Sequence, residues 1–545
     1  MTRLRTTRRR AVLTLATWGA AVTAAGALAS PAAAHAQVAR PPAPSGAVAP
    51  QGALAPVGAL TPIAAAEYEA RRRALVAALP DSVEVVVALG AREPAEDYLR
   101  FDQASDFRYL TGFREPDAAL VLVRRGDVAE GTLFVPPNDP AREVWTGRRA
   151  GLDGARATTG LATRPAGDLR ATLDSIARAA AAAGRPVAVV GQLGGAPDAL
   201  PPDAQLAAAL RRDHPALRLV SATSAVRRLR GRKSDAELAR IRRAADVTVR
   251  AQRAAMALVA PRVNEFEVQA LIEYTFRRLG ADRPSFATIV GSGPNSTALH
   301  YNANDRLLRA GEVVVMDIGA SYAGYAADVT RTVPVSGRFT PAQREVYQLV
   351  RDAQAAAERA AVLGAPWSAP ADSAQRTIAR GLARLGLVEG ADATYDCGRG
   401  AAAATRQCPQ WSLYYMHGLG HGIGLEVHDP EQAQMNPRAA GAAAVIAAGS
   451  AFTLEPGVYV RARLLEDVVP DTPRNQAMAA RVRPAVARYA DVGVRIEDDY
   501  VATARGVEWI SRAPREADEV EAAMRVRLPV AGRDPALVES YRPGG

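Results

Sequence analysis

The apolar positions sort this chain into two halves of different pattern. From about 66 to 225, short β-branched runs such as Val83 to Leu89, Ala118 to Val123 and Val187 to Val190 alternate with Ala- and Arg-rich stretches of helical character, as in an α/β layer. From 234 onward three helices mark their own starts. Ser234-Asp235-Ala236-Glu237 is a capping box, with Leu238 and Ile241 following on one face. Asn264-Glu265-Phe266-Glu267 opens a second helix, whose Leu271, Ile272, Phe276 and Leu279 precede a stop at Gly280. Thr340-Pro341-Ala342-Gln343 opens a third, with proline at its first position, running to about Leu363 before Gly364. Strands interleave with these helices, and helices over one curved, largely antiparallel sheet make an α+β domain.

The strands carry acids at their ends. Asp317 closes Val313-Val314-Val315-Met316, and Asp328 stands eleven residues later in Tyr325-Ala326-Ala327-Asp328-Val329-Thr330. Ser321-Tyr322-Ala323-Gly324 between them has turn chemistry. A hairpin turning about Tyr322 and Ala323 makes the two aspartates a direct cross-strand pair, with Cβ atoms roughly 5 Å apart. Carboxylates that close repel each other unless a cation lies between them. Glu455 ends a further apolar run before Pro456-Gly457, and Glu497-Asp498-Asp499 follows Val494-Arg495-Ile496.

Histidine supplies the second signal. Of six histidines, three fall in Met416-His417-Gly418-Leu419-Gly420-His421-Gly422-Ile423-Gly424-Leu425-Glu426-Val427-His428, and His300 lies in the same downstream half. Imidazole is both a neutral metal ligand and a group that titrates near neutrality. Two Asp, one His and two Glu suit two divalent ions.

These residues, in this order and with these flanks, resemble the metallopeptidases of the pita-bread fold, family M24, and among them the Xaa-Pro aminopeptidases (aminopeptidase P). The stretches are His300-Tyr301, Met316-Asp317-Ile318-Gly319, Gly324-Tyr325-Ala326-Ala327-Asp328-Val329-Thr330-Arg331-Thr332, His417 to His421, Val427-His428-Asp429, Thr453-Leu454-Glu455-Pro456-Gly457 and Val494 to Asp499. Upstream, Phe101 to Phe113 and Glu143-Val144-Trp145-Thr146-Gly147-Arg148-Arg149-Ala150-Gly151 resemble the amino-terminal domain of aminopeptidase P, which the methionine aminopeptidases of the same catalytic fold lack. The resemblance runs from about 66 to about 525. It implies a creatinase-like α/β domain over 66–228 and a pita-bread domain over 229–525, with 526–545 as a tail.

The resemblance also implies roles. Asp317 holds one metal, Asp328 and Glu497 bridge both, and His421 and Glu455 complete the second. A hydroxide held between the metals attacks the first peptide bond of a substrate with proline second. His300 and His428 stabilise the oxyanion, and Glu455 carries a proton to the leaving nitrogen. His417, Tyr459 and Arg495 match positions around the proline pocket. One imidazole and four carboxylates favour manganese over zinc, with cobalt, iron and zinc as alternatives. Two other readings stay open: a prolidase restricted to Xaa-Pro dipeptides, and a non-hydrolytic relative such as creatinase. Family members commonly form homo-oligomers.

Composition adds an address. Arg3, Arg5, Arg8, Arg9 and Arg10 precede an apolar run from Ala11 to about Leu28 and the small-x-small site Ala34-His35-Ala36. Residues 1–36 thus read as an export signal, with a twin-arginine-like Arg8-Arg9-Arg10, and the protein is expected in the periplasm or secreted. The alternative is an uncleaved anchor, disfavoured because Thr, Gly and Trp break the run. Residues 37–65, rich in Pro, Ala and Gly, read as a linker. Loss of the leader's five arginines takes the formal charge from +10 to +5, too little and too evenly spread for nucleic acid. Export also makes a disulfide between Cys397 and Cys408 plausible. The segments 391–411 and 461–491 are longer than the family pattern, and either can cover the cleft.

Overall fold

The computed structural model describes residues 60–528 apart from 97–98, 195–199, 399 and 431–444. The expected leader, nearly all of the linker and the tail beyond 528 lie outside the described residues. Among the described residues no helix is long and apolar enough to cross a membrane.

The upstream half is a mixed six-stranded sheet. Its strands are β1 (Val85–Leu89), β2 (Ala119–Arg125), β3 (Val128–Val135), β4 (Ala162–Pro165), β5 (Val187–Val190) and β6 (Leu219–Ser221), in the order β4-β3-β2-β1-β5-β6. Helices cover both faces, which is why the strands read as unbroken apolar runs rather than as alternation. Along β1, Val86 and Ala88 face one core with Leu75 and Leu110, while Val87 faces another with Phe134 and Leu173.

Downstream, the three helices begin where their caps predict, at Asp235–Leu258, Glu265–Arg278 and Pro341–Ala360, each with a complete capping box. The third stops three residues short of Leu363. There the chain turns away so that Gly364 and Ala365 can exchange backbone hydrogen bonds with Ile446, a pairing that the local pattern does not encode.

Every strand pairing in this half is antiparallel. β7 (Arg283–Pro284), β8 (Ile289–Ser292), β9 (Val313–Ile318), β10 (Ala320–Tyr322), β11 (Tyr325–Ala326) and β12 (Val329–Pro334) form the groups β12-β9-β8 and β11-β10-β7. A small hairpin joins β13 (Thr394–Asp396) to β14 (Gln407–Pro409). β15 (Ala451–Leu454), β16 (Gly457–Val460), β17 (Val492–Arg495), β18 (Asp498–Thr503) and β19 (Gly506–Trp509) form β15-β18-β19 and β16-β17. Packed against the helices, these strands bury Met316, Ile318, Val350, Ile378, Leu382, Val458 and Ile496 in one core.

The hairpin register corrects one expectation. Tyr322 pairs with Tyr325 and Thr330 with Asp317, so the turn is Ala323-Gly324, not Tyr322-Ala323. Both turn residues have positive φ, 49° at Ala323 and 83° at Gly324, as a tight two-residue hairpin requires; the glycine therefore fixes the register. The two aspartates are diagonal neighbours on one face rather than a direct pair. Asp328 falls level with Gly319, where a Cβ would lie 2.0 Å from the Ala327 carbonyl oxygen. From the upstream half, Arg108 donates to the Ala323 carbonyl at 2.6 Å and so caps this turn.

Cys397 and Cys408 form a disulfide, with Cα atoms 5.7 Å apart, across the β13–β14 hairpin. The two long segments pack on each other. Asn475, in the helix Pro473–Arg488, exchanges hydrogen bonds with the Asp396 backbone at 3.0 and 2.9 Å, and Thr472 donates to the Asp396 carboxylate at 2.6 Å.

Candidate active site

The strand ends of the downstream half open into a cavity of about 490 Å³. Asp317 comes from β9, Asp328 from just before β12, Glu455 from between β15 and β16, and Glu497 from between β17 and β18. The histidine loop runs antiparallel to β15. Thr453 and His421 are joined by a backbone bond of 2.9 Å, and Glu455 donates to Leu419 at 2.7 Å. Gly420 permits this approach, since a Cβ there would sit 2.1 Å from the Thr453 carbonyl oxygen.

His421 can reach three of the acids at once. Its Nε2 lies 3.6 Å from Asp328, 3.6 Å from Glu455 and 4.0 Å from Glu497. Its Nδ1 is 3.1 Å from the Gly422 carbonyl. A carbonyl only accepts, so Nδ1 carries the proton and Nε2 presents a bare lone pair to the carboxylates. Asp328, His421 and Glu497 bring one donor atom each to within 4.8 Å of one another. Asp317 Oδ1, Asp328 Oδ1 and Glu497 Oε1 are buried and have no hydrogen-bond partner. Unpaired buried carboxylate oxygens are costly, and Glu497 Oε1 among them faces the lone pair of a neutral imidazole at 4.0 Å. That donor set fits divalent cations.

The electrostatics agree. Burial, reinforced by Glu497 and Asp317, lifts Asp328 well above the usual carboxylate range. Burial and then Glu497 do the same to Glu455, and burial and Asp317 push Glu497 up to about 8. Burial lowers His421 to about 4, helped by His428. Each of these raised carboxylates favours a bound positive charge, whether a proton or a metal cation.

Among the described residues, Arg495 is the only Lys or Arg side chain that lines the cavity. It donates to Asp317 Oδ2 at 2.5 Å and, through Nη1, to the Tyr459 hydroxyl at 2.9 Å. Burial opposes its charge, but Tyr459, Asp317, Glu497 and Glu455 outweigh that and keep it firmly protonated. His417 Nδ1 donates to the Gly418 carbonyl at 2.8 Å, and burial, then Arg495, hold its pKa near 4.

Of the residues expected at the site, His300, Asp317, Asp328, His417, His421, His428, Glu455, Arg495 and Glu497 all line the cavity. Tyr459 does not. Its ring is fully buried and its hydroxyl lies behind the wall, so it holds His417 and Arg495 instead of meeting substrate. The acidic run Glu497-Asp498-Asp499 splits three ways. Glu497 faces the cavity; Asp498 turns to the fully buried Arg331 at 2.7 Å; Asp499 accepts the Asp328 backbone N–H at 3.2 Å. Thr330, which donates to Glu497 at 2.7 Å, and the cavity residues Phe286 and Asn302 were not anticipated. Strand alternation after Asp328 points to Thr330; nothing local points to the other two. No described residue of 391–411 or 461–491 lines the cavity, so the described parts of these segments do not roof it.

The sequence profile of metallopeptidase family M24 matches residues 239–504, and that of the aminopeptidase P N-terminal domain matches residues 68–183. The chain is 31% identical over 470 residues to the Xaa-Pro aminopeptidase of Escherichia coli strain K12, covering 84% of this chain and 97% of that protein. It is 32% identical over 475 residues to Xaa-Pro aminopeptidase 1 of Streptomyces coelicolor, covering 84% and 86%. Among solved structures, Pseudomonas aeruginosa aminopeptidase PepP aligns with a TM-score of 0.68 at 32% identity, covering 85% of this chain and 98% of that one. Zinc-substituted E. coli aminopeptidase P in complex with product aligns at 0.70 and 30%, covering 86% and 100%. A mixed α/β domain before a pita-bread domain with an acid-and-histidine cage defines a two-domain metallopeptidase. The chain belongs to family M24, in its aminopeptidase P branch, and the family's site is dinuclear.

Proposed function

We propose that this cavity releases the first residue of peptides whose second residue is proline, as the names of the relatives describe. The carrying observation is that Asp328, His421 and Glu497 bring donor atoms within 4.8 Å of one another in a cavity whose Asp317, Asp328 and Glu497 each keep a buried oxygen without a hydrogen-bond partner. Asp317, Asp328, His421, Glu455 and Glu497 would hold two divalent cations, which supply Lewis acidity to a water and to the scissile carbonyl. The mixture of one imidazole and four carboxylates favours manganese.

The protein's own groups do the rest. His300 and His428, both on the cavity wall, would donate hydrogen bonds to the carbonyl oxygen as charge develops on it. Glu455, raised by burial and by Glu497, takes a proton from water and returns it to the proline nitrogen. That nitrogen bears a ring and no N–H, so the pocket must admit the ring. His417 and Arg495, fixed by the Tyr459 hydroxyl, form that wall.

Export is part of the proposal. The basic and apolar leader supports it, and so does the Cys397–Cys408 disulfide, since such bonds persist in oxidising compartments.

The test is hydrolysis of Ala-Pro-Ala and of Ala-Pro by chelator-stripped protein, with and without added manganese. Manganese-restored cleavage of the tripeptide is expected. Cleavage of the dipeptide alone would make the protein a prolidase, and cleavage of neither with any divalent metal would overturn the peptidase reading.

A further inference from the structure

The chain has 67 basic residues of the Lys and Arg types, and Lys233 is the only lysine. A sequence so committed to arginine keeps an ammonium where a guanidinium does not serve. The structure shows what is particular about position 233. It lies in the connector between the helix Thr223–Arg230 and the long helix Asp235–Leu258. Its side chain is only 1% exposed, with Nζ 3.1 Å from Asp429 Oδ2 and 2.9 Å from the Pro430 carbonyl.

The other oxygen of Asp429 is already taken. Arg230, also buried, donates to Asp429 Oδ1 and reaches Asp106 of the upstream half at 2.6 Å and Glu426 at 3.3 Å. Asp429 Oδ1 also accepts the Glu426 backbone N–H at 3.1 Å, and the Asp429 N–H bonds to the Gly422 carbonyl at 2.8 Å. This pairing closes the loop 422–429, whose two ends present His421 and His428 with ring centroids 4.1 Å apart.

We propose that Lys233, together with Arg230, is a positioning residue for His428: the two cations clamp the Asp429 carboxylate and thereby fix the loop that sets His428 against His421. The proposal deepens the peptidase reading and rests on it for its effect on turnover. Arginine is not equivalent at this position, because a planar fork with five donors would stand where a compact ammonium meets one Asp429 carboxylate oxygen and the Pro430 carbonyl.

Two measurements test it on the full chain. The first is independent of activity. An amine-selective acylating reagent finds two primary amines, the amino terminus and Lys233. Peptide mapping is expected to show the terminus modified and Lys233 protected until denaturant is added. Lys233 acylated in the native protein as fast as the terminus would overturn the clamp. The second compares Lys233→Arg and Lys233→Met with the parent on an Xaa-Pro tripeptide. Both are expected to lose kcat by about 10–100-fold, the range for losing a partner that orients an active-site ligand, with KM within about twofold and no rescue by arginine. Parental kcat in either variant would overturn the proposal. An inactive parent would instead overturn the peptidase reading, leaving the acylation result to decide the clamp alone.

Discussion

The Tyr459 hydroxyl stands 2.9 Å from His417 Nε2, and the proton between them belongs to the tyrosine. His417 Nδ1 is committed to the Gly418 carbonyl and Arg495 Nη1 donates into the same hydroxyl, so polarity runs one way, from Arg495 through Tyr459 to His417. Neither end of this chain is itself an expected metal ligand.

Tyr459→Phe therefore leaves a buried guanidinium N–H without its acceptor and His417 without its donor. A stability loss of about 1–3 kcal/mol follows. With His417 and Arg495 in the proposed role of substrate wall, KM for an Xaa-Pro tripeptide should rise more than kcat falls, with kcat/KM down about tenfold for each 1.4 kcal/mol. Thermal melts and steady-state kinetics check both; unchanged KM would remove His417 and Arg495 from the substrate wall.

The chelator-stripped protein should lose stability as pH rises above neutrality. Glu497 is pushed up to about 8 from its ordinary 4.5 by burial and Asp317. The native state thus binds more protons than the unfolded chain across that window, and stability falls with rising pH. His417 and His421, held near 4 against an ordinary 6.5, work in the opposite direction, but only below about 6.5. Between about 6.5 and 8 the carboxylates act alone. Melting temperatures measured over that interval should fall for the stripped protein and stay level once manganese is added; a flat profile without metal would contradict the buried-acid account.

Gly319→Ala should abolish activity without touching a single expected ligand. A Cβ 2.0 Å from the Ala327 carbonyl oxygen forces β10 away from the chain before β12. That movement displaces Asp317 relative to Asp328, and a shift of about 1 Å can cost about 10²-fold. Metal affinity by calorimetry should fall in parallel; intact affinity with normal turnover would show that the sheet absorbs the methyl group.

Replacing Cys397 and Cys408 by serine should separate stability from catalysis. Opening a loop of this size costs about 2–3 kcal/mol by chain entropy, so the melting temperature should drop. Because no described residue of the hairpin lines the cavity, kcat and KM should hold at temperatures where the variant is folded. A kinetic defect there would link the hairpin to the site through Trp411, Tyr415 and His417, whose rings are neighbours.

What the sequence determined alone was local and ordered. The capping boxes at Ser234, Asn264 and Thr340 specify helix starts because each satisfies backbone N–H groups with side chains a few residues away. The acids and histidines were legible because their flanking motifs occur in one order. What the sequence did not determine depends on atoms far along the chain. The hairpin register turned on positive φ at both Ala323 and Gly324. The burial of Tyr459 behind the wall followed from contacts with His417 and Arg495, 42 and 36 residues away. The mutual packing of the two long segments joins Asp396 to Asn475 across 79 residues. Side-chain hydrogen bonds of that span are decided only when the sheet has brought the strand ends together, so tertiary packing, and no local pattern, set Tyr459 behind the cavity wall.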